Sequence, residues 1–321
     1  MRKLFSLILN EIQKSDSIVI FSHANCDGDC YGAQIGLKDI ILSTYPDKKV
    51  FAIGSGFFNL FKLLGEPDKA DDEIIKNSLL VLVDFNELSR SEDERIYLGN
   101  RYICLDHHNK GPNFNNYQNF FVNQKRSSAS PIVYEFYKEM GLKISSLGIN
   151  ALYAGIVSDT NRFQYLEDDG FSLMCGHELV EKGANFKAIY NAFGKTNKTF
   201  IALKQYIYTN MKHTDAGVVY CVVRREYLDS INFNDYAGSM VNVLSNIEGY
   251  PIWALFVEHK DKKMSIELRS NKVEVLSSAI KYGGGGHMFA SGISKSIYDE
   301  NIINSVLSDL DRLLLEDKKN V

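Results

Sequence analysis

The sequence lacks the cysteine pairs that build thiolate metal sites. Its five cysteines form no CxxC pair. Cys26 and Cys30 bracket an acidic loop, but no second pair completes a tetrahedral zinc site around them. The odd number and wide spacing of the cysteines indicate reduced, mostly buried thiols in a reducing compartment.

The sequence also lacks a long apolar span and an excess of positive charge. No stretch of about 20 apolar residues is present to cross a membrane, and no signal-peptide cleavage site follows the amphipathic opening segment. We therefore expect a cytoplasmic protein. The formal net charge of −4 argues against a general electrostatic hold on long nucleic acid. Any nucleotide substrate should be small, or held through metal ions and a few arginines.

Apolar runs alternate with helical patterns in the first half of the chain. With 45% hydrophobic and 24% charged residues, the composition is that of a globular protein. This order of elements predicts βαβ units and a parallel sheet. The apolar runs are at 17–22, 49–55, 78–85 and 101–108, and the helical patterns are at 31–45, 128–140 and 145–158.

The second half has a different pattern. Residues 170–212 have helical periodicity only, and strands return after about residue 213 with "VVYCVV", "PIWALFVEH" and "KKMSIELRS". We therefore predict an α/β protein of three parts. These are a parallel-sheet N-terminal domain at 1–185, a helical connector at 186–212 and a smaller α/β C-terminal domain at 213–321.

Side chains that can bind metal follow several of the predicted strands. Ligands of open α/β sheets bind outside the carboxyl ends of the strands, so these side chains should lie on one edge of the sheet. Taken singly, such an aspartate is more often a turn or cap residue, and a histidine more often lies on the surface. Together, four separate segments bring metal-binding groups to one edge. The candidates are His23, Asp27, Asp29, Asp84, Asp106, His107, His108 and Asp159.

This combination of side chains is typical of a site for two divalent metal ions. Carboxylates and imidazoles without thiolates suit manganese, magnesium or iron. One ion cannot use this many groups, whereas two ions that share a bridging carboxylate can. The negative charges of four of these aspartates would balance the charges of two divalent ions. Without the ions, the carboxylates would raise one another's pKa values.

A run of four glycines, Gly283–Gly286, precedes His287 near the end of the chain. Such a run can be a helix C-cap after "AIKY". It can also let backbone N–H groups approach a phosphate, with Arg269 and His287 as partners. In the first domain, Arg162 either reaches substrate or is an ordinary surface residue. The predicted substrate-binding residues are Arg162, Arg269, Gly284, Gly285, Gly286 and His287.

Five motifs, in this order, resemble those of the DHH phosphoesterase family. They are "HANCDGD", "VLVDF", "LDHH", "AGIVSDTNRF" and, in the C-terminal part, "GGGGHMFASG". The resemblance covers nearly the whole chain. It is greatest to the stand-alone members, the nanoRNA phosphodiesterases that also dephosphorylate 3′-phosphoadenosine 5′-phosphate. The chain departs from the family at Cys26, Ala33 and Asn161, where relatives often have proline, serine and glycine.

The resemblance implies a role for each matching residue. His108 would bind the scissile phosphate or assist proton transfer, and Asp106 would orient a ligand; these two are the implied catalytic residues. The implied metal ligands, which share Asp84 as the bridge, are His23, Asp27 and Asp84 for one ion, and Asp29, Asp84, His107 and Asp159 for the other.

The resemblance also implies a metal-dependent phosphodiesterase, with manganese preferred to magnesium. Its expected substrates are very short oligoribonucleotides and 3′-phosphoadenosine 5′-phosphate, without long duplex nucleic acid or a membrane as partner. A homodimer is left open. Two alternatives also stay open: a phosphodiesterase of signalling dinucleotides such as cyclic di-AMP or pApA, and a non-catalytic nucleotide sensor. Pyrophosphatase-type relatives carry a serine-arginine-lysine-lysine-type motif in place of the glycine run, and this chain has no such motif.

Overall fold

A computed structural model describes residues 2–113, 119–166, 168–295 and 297–319. The four apolar runs of the first half form four strands of a five-stranded parallel sheet, and a short strand outside these runs, β5, is the fifth. The strand order is β2-β1-β3-β4-β5, and every neighbouring pair is parallel. All five residues of the central strand β3 are buried, as expected for a strand with helices on both faces. The strands are β1 (Ser17–Phe21), β2 (Lys49–Ile53), β3 (Leu79–Val83), β4 (Tyr102–Asp106) and β5 (Phe120–Val122).

Eight α-helices accompany this sheet within the described residues. They are α1 (Arg2–Lys14), α2 (Gly28–Thr44), α3 (Phe61–Leu64), α4 (Asp72–Asn77), α5 (Ala129–Glu139), α6 (Ser146–Asp159), α7 (Phe171–Glu181) and α8 (Phe186–Phe193). Helices α2 and α6 pack very closely. A Cβ added to Gly32 of α2 would lie 2.5 Å from Ala151 O and 2.8 Å from Gly155 N of α6. Glycine at this position therefore allows the two backbones to approach.

The second half forms a six-stranded mixed sheet in the order β10-β11-β9-β8-β7-β6. Strands β7 and β8 are parallel, and the other neighbours are antiparallel. The strands are β6 (Lys212–His213), β7 (Val218–Val223), β8 (Ile252–Glu258), β9 (Met264–Ser270), β10 (Gly285–His287) and β11 (Ala290–Lys295). The helices are α9 (Lys198–Asn210), α10 (Arg225–Ser230), α11 (Leu276–Lys281) and α12 (Glu300–Lys319), with a 3₁₀ helix at Ala237–Leu244.

Each face of the mixed sheet has its own core. Ala254 and Phe256 of β8 share one buried cluster with residues of α12. Their neighbours Trp253 and Leu255 share another with residues of α9 and of the 3₁₀ helix. This alternation follows from the two-residue repeat of a strand.

The chain divides into two compact units, Met1–Lys195 and Thr196–Val321. The predicted fold class is confirmed, because the first unit has a parallel sheet with helices and the second, smaller unit has a mixed sheet with helices. All five cysteines are buried and free. Among the described residues, no helix combines the length and the apolar character needed to span a lipid bilayer.

Candidate functional site

The predicted metal-binding side chains of the first unit come together at the carboxyl edge of the parallel sheet. Asp84 follows β3 directly, and Asp106 is the last residue of β4. His23 lies two residues beyond β1, where it forms an isolated bridge with Ser91. The backbone N–H of Ala24 donates to Arg90 O at 2.8 Å, which also fixes this loop.

Asp84 is at the centre of the cluster. Its side chain is 1% exposed. Its Oδ2 lies 3.3 Å from His23 Nε2, and its Oδ1 lies 3.2 Å from His107 Nε2 and 3.6 Å from His108 Nδ1. Its φ of +69° is in the left-handed region, which aspartate tolerates better than most residues but still at a cost. A strained backbone that aims a buried carboxylate at three imidazoles is typical of a functional position.

Helices α2 and α6 bring two further carboxylates to Asp84. Asp29, in the first turn of α2, accepts hydrogen bonds from the backbone N–H groups of Ala129 (2.6 Å) and Ser130 (3.0 Å) at the start of α5. Asp159 is the last residue of α6, and its Oδ2 lies 3.5 Å from His107 Nε2. One donor atom from each of Asp29, Asp84, His107 and Asp159 lies within 4.8 Å of the others. These four residues are the set predicted for one of the two ions.

Around the predicted site of the other ion, the structure places Cys30, which was not an expected ligand, beside His23 and Asp84. His23 and Asp84 form a second group with Cys30, in which the donor atoms also lie within 4.8 Å of one another. Asp27 Oδ1 instead accepts from the backbone N–H groups of Asp29 and Cys30, both at 3.0 Å, and so caps α2. Sequence reasoning considered Cys30 only with Cys26. Cys30 lies in the first turn of α2 and faces His23. This contact depends on the conformation of the loop before α2, which the sequence pattern does not specify.

The electrostatics of the cluster favour cations. Burial raises the pKa of Asp159 well above its ordinary value, and the charges of Asp27, Asp29 and Asp84 raise it further. Burial and the charge of Asp84 raise the pKa of Asp29 to about 7. Burial alone would lower the pKa of His107, but Asp84 and Asp159 raise it to about 10. Without a metal ion, therefore, the cluster tends to take up protons.

The residues present fit a divalent metal. Asp84 Oδ1 is buried and accepts no well-formed hydrogen bond from any residue that the structure describes. A buried carboxylate oxygen without a hydrogen bond destabilises the folded protein unless a cation binds it. Oxygen and imidazole donors around this atom suit ions such as manganese or magnesium. The carboxylate and imidazole groups are thus candidate divalent metal sites.

Asp106 and His108 form a hydrogen-bonded pair beside this cluster. His108 Nδ1 lies 2.8 Å from Asp106 Oδ1, and Asp106 Oδ2 accepts from the Asn86 side chain. Asn86 is itself held, because its Nδ2 donates to Asn109 O at 3.1 Å and its Oδ1 accepts from Gly111 N at 2.8 Å. Sequence reasoning did not identify Asn86. The available signal was its place two residues after Asp84, on the same strand end.

Arg162 lies in the turn that follows α6, three residues after Asp159. Asn161, Arg162 and Phe163 all have left-handed φ angles, of 44°, 62° and 65°. Asparagine is tolerated in this conformation, so Asn161 is compatible with the turn. The Arg162 side chain is exposed, and its Nη1 lies 3.5 Å from Asn161 Oδ1.

In the second unit, the glycine run has two structural roles. Gly283 has a φ of +77°, and Gly284 N donates to Ala279 O at 2.8 Å, so these two residues cap α11. Gly285 and Gly286 continue into β10, which ends at His287.

Strand register places Arg269 and His287 on one face of the mixed sheet. Ala290 of β11 pairs with His287 on one side and with Arg269 on the other. Residues directly opposite one another in a sheet project to the same face. The Arg269 Nη1 donates to the carbonyls of Leu268 (2.9 Å) and Ser291 (3.2 Å), which anchors the guanidinium over this face.

This geometry defines a class of protein: a two-unit α/β protein with a buried carboxylate–imidazole cluster at the carboxyl edge of a parallel sheet. Residues 17–156 match the DHH family, N-terminal domain, and residues 215–316 match the DHHA1 domain. The chain belongs to the DHH family.

Similar proteins match over most of the chain. The bifunctional oligoribonuclease and PAP phosphatase NrnA of Mycoplasma pneumoniae is 33% identical over 290 residues, covering 88% of this chain and 89% of that one. The protein of the same name in Bacillus subtilis is 31% identical over 314 residues, covering 96% and 98%. The crystal structure of an exopolyphosphatase-related protein from Bacteroides fragilis superposes with a TM-score of 0.86 at 25% identity, covering 98% of both chains. The family resemblance read from the five motifs is confirmed.

Proposed function

We propose that this protein is a metal-dependent phosphodiesterase that hydrolyses very short oligoribonucleotides to mononucleotides and also dephosphorylates 3′-phosphoadenosine 5′-phosphate. The names of the relatives in Mycoplasma pneumoniae and Bacillus subtilis support this proposal. The observation that carries it is the buried Asp84, whose two carboxylate oxygens face different histidines at the sheet edge. A carboxylate in that position is suited to bridging two ions.

The proposed cofactor is a pair of divalent ions, manganese in preference to magnesium because imidazoles are among the ligands. His23, Asp27 and Asp84 are the proposed ligands of one ion, and Asp29, Asp84, His107 and Asp159 those of the other. Cys30 is a further donor near His23. Two bound metal ions would activate a water molecule and stabilise negative charge on phosphoryl oxygens.

The protein's own groups have the remaining roles. Because Asp106 holds Nδ1 of His108, Nε2 is the nitrogen proposed to contact the scissile phosphate or to transfer a proton to the leaving oxygen. The Asn86 side chain donates a hydrogen bond to the other carboxylate oxygen of Asp106 and so helps to orient the His108 ring.

A phosphate of the substrate is proposed to bind to the glycine-bearing face of the second unit. The anchored guanidinium of Arg269 and the side-chain-free backbone of the glycine run support this assignment. Arg162 of the first unit is proposed separately as a substrate contact. The proposed contacts are Arg162, Arg269, Gly284, Gly285, Gly286 and His287. In domain terms, we propose a catalytic part at 1–185, a connector at 186–212 and a substrate-binding part at 213–321.

The test is product analysis with purified protein and manganese. The substrates are a diribonucleotide, short oligoribonucleotides, 3′-phosphoadenosine 5′-phosphate, cyclic and linear diadenylate, and pyrophosphate. We expect mononucleotides from the short RNAs, release of phosphate from 3′-phosphoadenosine 5′-phosphate, and no turnover in EDTA. Preference for cyclic diadenylate would favour the signalling-dinucleotide alternative, and binding without turnover would favour a sensor.

A further inference from the structure

A carboxylate lies on the proposed phosphate-binding face of the mixed sheet. Glu267 of β9 pairs with Gly292 of β11, and Gly292 pairs with Gly285 of β10. Since directly paired residues project to one side, Glu267 lies on the same face as Arg269 and His287. On its other side Glu267 pairs with Leu255 of β8. Towards β11 and β10 its neighbours are the two glycines, whose lack of side chains leaves room above the sheet on that side of Glu267.

Glu267 is held in place rather than mobile in solvent. Its Oε1 accepts a hydrogen bond of 2.5 Å from the Tyr236 hydroxyl, and its Oε2 lies 3.3 Å from Arg269 Nη1. The side chain of Glu267 is 13% exposed and that of Arg269 is 25% exposed. A carboxylate can accept about four hydrogen bonds in total. Glu267 thus has acceptor capacity beyond these two contacts.

A negative charge next to a phosphate site requires a reason, because it weakens the attraction for the phosphate. Two reasons are available: the carboxylate positions the Arg269 guanidinium, or it accepts a hydrogen bond from a donor of the ligand. Glu267 Oε2 lies 3.3 Å from Arg269 Nη1, so one nucleotide can present its phosphate to the guanidinium and a sugar hydroxyl to the adjoining carboxylate. Carboxylates bind ribose hydroxyls in this way in other nucleotide sites.

We propose that Glu267, oriented by Tyr236, accepts a hydrogen bond from the ribose 2′-hydroxyl of the nucleotide whose phosphate binds to Arg269 and His287. Glu267 would therefore select RNA over DNA, since the 2′-hydroxyl is the group that distinguishes the two. This inference rests on the proposed function and adds a specificity-determining residue to it.

The experiment compares 5′-phosphorylated diuridylate with its 2′-deoxy counterpart, so that base and charge stay constant. In Glu267→Ala, kcat/KM for the ribonucleotide should fall about 10-fold or more, as for the loss of a hydrogen bond to a charged group. For the deoxynucleotide, kcat/KM should change by less than about 3-fold, since that hydrogen bond is already absent. Tyr236→Phe, which keeps the carboxylate but frees it to rotate, should show a smaller loss with the same sugar dependence. Glu248→Ala, an exposed glutamate of the same unit, is the matched control.

Each other outcome has a definite meaning. If Glu267→Ala lowers kcat/KM equally for both sugars, Glu267 acts only by positioning Arg269 and the inference is wrong. It is also wrong if neither substrate is affected. Glu267→Gln, which keeps the shape and one acceptor oxygen, should fall between wild type and Glu267→Ala and so excludes misfolding as the cause. If the wild-type protein cleaves neither dinucleotide, the proposed function is wrong as well. That failure is distinguishable, because the other two outcomes are seen only in Glu267→Ala.

Discussion

At the scale of single residues, the cluster combines charges that would repel without a cation. The Asp29 side chain is buried and the Asp159 side chain is partly buried, both close to Asp84, and their pKa values are raised as a result. Burial opposes ionisation of Asp84 too, but His107 and His23 hold its pKa well below its ordinary value. The stability of this region therefore depends on what neutralises the carboxylates.

Asp84→Asn is the most informative substitution at this scale. Asparagine keeps the shape and tolerates the left-handed backbone of position 84, so the fold should survive. Loss of the proposed bridge should lower kcat by about 10³-fold or more, on the scale of a central electrostatic element, and should reduce bound metal in elemental analysis. Asn86→Ala, which frees Asp106 to rotate and removes the hydrogen bonds to Asn109 and Gly111, should cost about 10- to 100-fold with metal content unchanged. Full metal content and a near-normal rate in Asp84→Asn would refute the bridge.

The stability of the metal-free protein should fall as pH rises from about 6 to about 9, because the folded state binds more protons than the unfolded state in that range. The raised pKa values of Asp29, about 7, and His107, about 10, both act in this direction. The lowered pKa of Asp84 acts only at more acidic pH. Thermal unfolding in EDTA across this range measures the slope. Manganese should remove or reverse it, and Asp159→Asn should reduce it. Stability that rises with pH in EDTA would contradict this account.

At the scale of elements, the close packing of α2 against α6 positions two of the carboxylates. Asp29 lies in the first turn of α2 and Asp159 ends α6, so a change in the distance between these helices changes the distance between the two carboxylates. The glycine at position 32 allows the contact. The helix pair thus links backbone packing to the metal cluster.

Gly32→Ala should therefore weaken both the fold and metal binding. Its added Cβ would lie 2.5 Å from Ala151 O, which is backbone and cannot move alone. Overpacking of this kind typically costs about 1–3 kcal/mol, which denaturant unfolding would measure. Manganese affinity should also fall. Ser43→Ala, near the other end of α2, is the control and should change neither. Unchanged manganese affinity in a destabilised Gly32→Ala would show that the helix spacing does not set the site.

Some elements and contacts could be predicted from sequence and others could not. The buried apolar runs of β3 and β4 are long enough to be identified as strands from the sequence. The position of their last residues on one edge of the sheet follows from that prediction. Strands β5 and β10 have only three residues each, too few to show a periodicity. The sequence of the glycine run is compatible with a helix cap and with an exposed strand backbone. In the structure, Gly283 and Gly284 cap α11, and Gly285 and Gly286 belong to β10. The contacts of Cys30, Asn86 and Glu267 depend on loop conformation and strand register, which no local pattern specifies.

At the scale of the whole molecule, the net negative charge argues against a hold on long nucleic acid. The net charge is −4, and a long strand would need a continuous basic groove to follow. We expect kcat/KM to be highest for RNAs of about two to five nucleotides and to fall with length, because distal phosphates gain no counter-charge. A series of 5′-labelled RNAs at fixed salt and manganese measures this. Equal efficiency on a strand several times longer would contradict it.

The central claim is that two divalent ions at the Asp84 cluster hydrolyse short RNA. The most direct measurement is a manganese titration of metal-free protein, in which bound manganese per chain and the rate of diribonucleotide hydrolysis are followed together. The account predicts that about two ions bind per chain and that activity appears only as the second ion binds, as for two-metal hydrolysis. Full activity with a single bound ion, or in EDTA, would contradict it.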